Sequence, residues 1–207
     1  MLPDPLPRNR RNTSCFQRFV ALGDSLSFGT GDSVEGIHKI PWPDQVTDIL
    51  QRGNPNLLYS NLAQPGLKTS EVKASQLSAA LSLNPDLVSI QVGSNDVVER
   101  SWNPQNYYQE LLSIAQPFRE IQATVVMLTC HNSKGMPRKL GRLRLRFQEM
   151  VDVIQTVSHE QSAIFVDLSS SFAGSHISHW SSDRWHPNAL GYQEATKSFL
   201  LSLEKTL

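Results

Sequence analysis

Cysteine is scarce: Cys15 and Cys130 are the only two in 207 residues. They are too few for a disulfide framework and lack a metal-type spacing, so free thiols are expected. No apolar run approaches the roughly 18 residues that a spanning helix needs, which argues against integral membrane association. Net charge is missing too, since nineteen basic and nineteen acidic residues cancel. The chain as a whole therefore exerts no long-range pull on nucleic acid or on an anionic membrane. A neutral small molecule suits it better as a partner. Residues 1–17 carry Arg8, Arg10 and Arg11 but no apolar core of a secretory signal, so a flexible leader and cytoplasmic residence are expected.

What is present suits a single domain over residues 18–207, with nothing visible that fixes an oligomeric state. Short apolar, β-branched runs recur at Arg18–Leu22, Leu57–Leu62, Leu87–Val92, Thr124–Thr129 and Ala163–Leu168. They read as five buried strands. Helical patterns fill the gaps at Asp44–Arg52, Ser70–Leu83, Gln105–Ile121 and Leu140–Glu160, and a last one covers Asn188–Leu203. Pro117 is expected to kink the third of these helices or end it early. Strands that are apolar throughout and alternate with helices predict a five-stranded parallel sheet in a three-layer α/β/α domain. Ligands of such open sheets sit beyond the carboxyl ends of the strands, so the residues just after each strand carry the most information.

Gly23-Asp24-Ser25-Leu26-Ser27 follows the first strand and sets a hydroxyl at that edge. Serine is a weak nucleophile and needs a base, most often a histidine held by a carboxylate. Asp183-Arg184-Trp185-His186, after the fifth strand, offers that pair at the same edge. An acyl-transfer site also needs donors aimed at the developing oxyanion. The second strand is followed by Gln64-Pro65-Gly66 and the third by Gly93-Ser94-Asn95-Asp96. The N–H groups of Gly66 and Ser25 and the side-chain amide of Asn95 supply three donors.

These four blocks, in this order, resemble the SGNH/GDSL hydrolase family over Phe19 to about Tyr192. The resemblance implies a flavodoxin-like sheet, a Ser25, Gly66, Asn95, His186 quartet and a serine hydrolase acting on short-chain carboxylic esters. It implies neither metal nor cofactor. Acyl transfer to another alcohol and carbohydrate deacetylation would use the same residues, and a non-catalytic flavodoxin-like binding module is the rival from another class. At about one residue type in twenty, the three main blocks coincide by chance on the order of once in three thousand such chains. Ser27 stands where a G-x-S-x-G elbow has its second glycine, which disfavours an α/β-hydrolase fold.

Each of these residues also has a plainer use. Ser25 suits a helix cap, Asn95 and Asp96 suit a turn, and Gly66 after Pro65 suits an ordinary turn. Asp24 and Asp96 are expected to anchor loops by bonding nearby N–H groups. His176-x-x-His179 lacks a third metal ligand. The basic run from Lys134 to Arg146 reads as a solvated helix start. Among Trp42, Trp102 and Trp185, each more often a core residue, Trp102 is the best candidate to line a substrate pocket.

Overall fold

A computed structural model describes residues 16–129, 141–168 and 177–206. Cys15, Cys130, His176, residues 134–140 of the basic run and all but the last two residues of the expected leader lie outside the described residues. Of those two, Phe16 is buried in the core and Gln17 N–H bonds the Asp86 carboxylate, so both belong to the fold rather than to a leader.

Five parallel strands form one sheet: β1 (Arg18–Gly23), β2 (Leu58–Asn61), β3 (Leu87–Gln91), β4 (Thr124–Leu128) and β5 (Ile164–Val166), in the order β2-β1-β3-β4-β5. The described helices are α1 (Ser25–Phe28), α2 (Trp42–Gln51), α3 (Thr69–Ser82), α4 (Ser94–Val97), α5 (Pro104–Glu120), α6 (Gly141–Glu160) and α7 (Ala189–Thr206). A short 3-10 turn covers Ile177–His179.

Alternation along β1 divides the core. Val20 and Leu22 point into a cluster with Val72 of α3, Ile114 and Phe118 of α5 and Phe147 of α6. Phe19 and Ala21 point to the other face, among Trp42 and Val46 of α2 and Phe199 and Leu203 of α7. Two faces covered by helices make the expected three layers. Phe19, Phe118, Phe147 and Phe199 are all completely buried. Each such side chain is worth roughly 1.5–3 kcal/mol of burial.

α5 runs through Pro117 to Glu120 rather than breaking there. The proline removes one amide donor near the end of the helix. The neighbouring Ile114, Ala115 and Phe118 are buried, and their packing keeps the last turn in place. The two four-residue helices, α1 and α4, follow β1 and β3 directly and are too short to show a helical period in the sequence. Because β2 and β3 flank β1 on opposite sides, the winding reverses at β1. The crevice of an open sheet forms at such a reversal, outside the carboxyl ends of the strands. Here that edge carries the residues that follow β1 and β3.

Candidate active site

Ser25 is the first residue of α1, one position after the Asp24 cap, whose carboxylate accepts the Leu26 N–H at 3.0 Å. The loop is held tightly from below. Gln76 of α3 donates to the Gly23 carbonyl and accepts the Gly23 N–H, both at 2.9 Å. Gly23 has φ +153°, and a Cβ there would lie 2.3 Å from the Gln91 carbonyl oxygen, so only glycine fits. Ser25 itself is 5% exposed.

His186 brings its Nε2 to 2.9 Å from Ser25 Oγ, and its Nδ1 lies 2.7 Å from Asp183 Oδ2. With the proton on Nδ1 held by the carboxylate, Nε2 presents its lone pair to the serine hydroxyl. Asp183 Oδ1 accepts the backbone N–H groups of Trp185 at 2.8 Å and His186 at 3.0 Å. Partial burial raises the Asp183 pKa, but the bonds from the His186 ring and these two N–H groups outweigh it and leave the carboxyl below its ordinary value. It stays ionised beside the imidazole.

Asn95, in α4, reaches the site through Asp24. Its Nδ2 donates to the Leu67 carbonyl at 3.0 Å and to Asp24 Oδ2 at 3.3 Å. The same Asp24 oxygen accepts Ser94 Oγ–H at 3.0 Å. Asp24 is wholly buried, which pushes its carboxyl up to about 6. The Leu26 and Ser94 bonds oppose that rise, the negative charge of Asp96 adds to it, and His186 opposes it. Asp96 in turn takes the N–H and hydroxyl of Thr69, each at 3.0 Å, which fastens the start of α3. Both aspartates thus anchor loops.

Gly66 occupies an exposed turn at φ +81°. The loop that bears it continues the sheet ladder, with Leu62 N–H on the Ala21 carbonyl and Gln64 N–H on Gly23, and Asn95 clasps it at Leu67. Trp102 gives its indole N–H to Glu149 at 2.8 Å and packs against Tyr107 with ring centroids 5.4 Å apart. Trp185 sets its ring edge-on to Phe147 of α6 at 6.1 Å. Trp42 is a core residue: it is completely buried against Phe199, and its indole N–H bonds Gln91 Oε1 at 2.8 Å. Among the described residues no cluster of side chains is set to hold a metal ion, and no helix is long and apolar enough to cross a membrane.

Gln76, Gln91 and Arg146 support the site without having stood out in the sequence. A signal for Gln76 exists: it falls in register with buried Val72 and Ala80, where an apolar residue is the norm. Arg146, expected on a solvated face, instead donates to the carbonyls of Val97 at 3.1 Å and Glu99 at 2.7 Å. It thereby ties α6 to the end of α4.

Comparison with known proteins agrees with this architecture. One similar solved structure is an α/β hydrolase enzyme from the metagenome of Lake Arreo, Spain, with a TM-score of 0.75 at 20% identity over 91% of this chain and 95% of that one. Another is an acetylxylan esterase from Geobacillus stearothermophilus, with a TM-score of 0.72 at 20% identity over 90% of this chain and 94% of that one. A search of curated proteins finds no match. The model of the GDSL-like Lipase/Acylhydrolase family matches residues 21–194, so the chain belongs to that family and is an ester-hydrolysing enzyme.

Proposed function

We propose that the protein is a serine esterase in which Ser25 is the nucleophile, His186 the general base and then acid, and Asp183 the carboxylate that orients the imidazole. The observation that carries this reading is the unbroken line Asp183 Oδ2, His186 Nδ1 at 2.7 Å, His186 Nε2, Ser25 Oγ at 2.9 Å. Ser25 Oγ attacks the ester carbonyl as its proton passes to His186 Nε2. The tetrahedral oxyanion takes the N–H groups of Ser25 and Gly66 and one amide hydrogen of Asn95. Collapse expels the alkoxide, which leaves with the proton from His186. Water, activated by the same imidazole, then attacks the acyl enzyme and frees the acid and Ser25.

Support also comes from the Geobacillus stearothermophilus esterase, whose structures include catalytic mutants in which a serine, an aspartate or a histidine is changed to alanine. There too the aspartate precedes the histidine by three positions, as Asp183 precedes His186. The acyl group is short. No long apolar insertion of the kind that forms a lipase lid interrupts the sequence. Acetyl, the group removed by the acetyl-xylooligosaccharide esterase among the similar structures, is the acyl group to test first. Trp102 lines the substrate pocket, a single catalytic domain carries the whole site, and the enzyme works in the cytoplasm without a cofactor.

The test is a panel of p-nitrophenyl esters from acetyl to long-chain, run on wild type and Ser25→Ala. Turnover greatest on acetyl or butyryl and lost in the variant is expected. Equal turnover by the variant would remove Ser25 from the chemistry, and a maximum at ten carbons or more would overturn the short-chain preference.

A further inference from the structure

Two polar residues outside the line from Asp183 to Ser25 hold the segment that carries it. Ser181, 4% exposed, closes that segment on itself. Its N–H donates to the His186 carbonyl at 2.8 Å, its carbonyl accepts the Arg184 N–H at 2.9 Å, and its Oγ donates to the Pro187 carbonyl at 3.0 Å. Arg184 makes the turn inside the loop at φ +55°. The same Ser181 Oγ accepts the N–H of Asp32 at 2.8 Å. Asp32 answers with its carboxylate, which accepts the Ser182 N–H at 2.8 Å, and with its carbonyl, which accepts the Ala189 N–H at 3.0 Å. Gly31 allows the approach, because a Cβ there would stand 2.1 Å from the Pro187 oxygen.

The other end of this connection is the nucleophile. The Ser25 carbonyl accepts the N–H groups of Gly29 at 3.0 Å and Thr30 at 2.9 Å, and the Thr30 carbonyl accepts the Tyr192 hydroxyl at 2.7 Å. A short path therefore runs from Ser25 through Thr30 and Asp32 to Ser181 and Ser182, and so to Asp183 and His186. Residues 181–187 form a surface loop outside the sheet, and such loops are mobile unless tied.

We propose that Asp32 and Ser181 are positioning residues, a clasp between the loop after α1 and the loop before α7 that fixes the His186 imidazole at the Ser25 hydroxyl. This rests on the roles proposed for Ser25 and His186. Misplacing a catalytic group by about an ångström costs on the order of a hundredfold in rate, which sets the scale of the effect. Neither residue touches the reacting atoms, so each acts on kcat through His186.

The test compares Asp32→Ala, Asp32→Asn and Ser181→Ala with wild type on p-nitrophenyl acetate. It also follows the proton NMR signal of the His186 Nδ1–H and the melting temperature. Asp32→Ala and Ser181→Ala are expected to lower kcat roughly tenfold to a hundredfold with KM within about twofold, and to broaden or shift the Nδ1–H signal. Asp32→Asn should recover most of kcat, because its amide oxygen still accepts the Ser182 N–H. The double variant should be little worse than the worse single one, since the two residues act as one unit. Wild-type kcat in both alanine variants overturns the clasp, and so does a loss of kcat with an unchanged His186 signal and no rescue by asparagine. Ser25→Ala, run alongside, separates the two failures: if it stays active the nucleophile assignment fails, and if it is dead while Asp32→Ala is unimpaired only the clasp does.

Discussion

Asn95 spends its amide on two acceptors, the Leu67 carbonyl at 3.0 Å and the Asp24 carboxylate at 3.3 Å. The second bond is long and so the weaker. On the proposed mechanism a transition-state oxyanion would draw on that hydrogen, while the Leu67 bond keeps the amide in place. Asn95→Ala is accordingly expected to lower kcat by about a hundredfold to a thousandfold with little change in KM, the usual cost of one oxyanion donor. Added to Ser25→Ala it should cost almost nothing more. Steady-state kinetics on p-nitrophenyl acetate check both, and a wild-type kcat in a folded Asn95→Ala protein would make Asn95 a turn residue.

Burial of Asp24 links stability to pH. The carboxyl has an ordinary value of 3.8 and titrates near 6 in the folded protein. Between those two values the folded protein holds a proton that the unfolded chain has lost, so this group's contribution to stability falls as pH rises from about 4 to 6 and is flat above. The difference amounts to about 3 kcal/mol at neutral pH. Asp24→Asn, neutral at every pH, should remove that slope. Urea unfolding at pH 4, 5, 6 and 7 measures it, and an identical pH dependence in wild type and variant would refute the assignment.

Asp183 behaves in the opposite sense. Its carboxyl is held below the ordinary range, so its support for the His186 pairing is present above about pH 4 and fades as pH falls through the folded value. Asp183→Asn presents an amide that no longer favours the proton on Nδ1. Its kcat should drop on the order of a thousandfold or more with KM nearly unchanged. A drop under tenfold would mean that the exposed carboxylate does not orient the ring.

Gly23 is a backbone requirement and not a chemical one. Gly23→Ala forces a Cβ to 2.3 Å from the Gln91 oxygen and 2.9 Å from Ser27 Oγ at an unfavourable φ. A loss of about 2–3 kcal/mol is expected, or about 5–10 °C in Tm for a domain of this size. Calorimetry within a degree of wild type would show that the strand end yields more easily than its contacts imply.

Much of this was open to sequence reasoning because the signals are local. Five apolar runs separated by helical patterns announce a parallel sheet, and Ser25, Asn95 and His186 each sit just past a strand or in a short distinctive block. What could not be read depends on partners far along the chain. Trp42 is open in the sequence to either a core or a pocket reading, and its core place is fixed only by Phe199 against its ring and Gln91 at its N–H. Arg146 resembles any basic helix residue until α4 is packed against α6. Asp32 and Ser181 are ordinary polar residues whose pairing arises only when the two ends of the chain meet. Pro117 fails as a helix stop because the flanking residues are buried, which periodicity alone does not weigh.

The nucleophile is tested most directly by covalent trapping. Wild-type protein is treated with a fluorophosphonate, activity is followed to completion of inhibition, and the adduct is located by peptide mass spectrometry. A single adduct on Ser25, formed in step with the loss of esterase activity and absent from His186→Ala, is the expected result. An adduct on another residue, or full inhibition with Ser25 unmodified, would contradict the assignment of Ser25 as nucleophile.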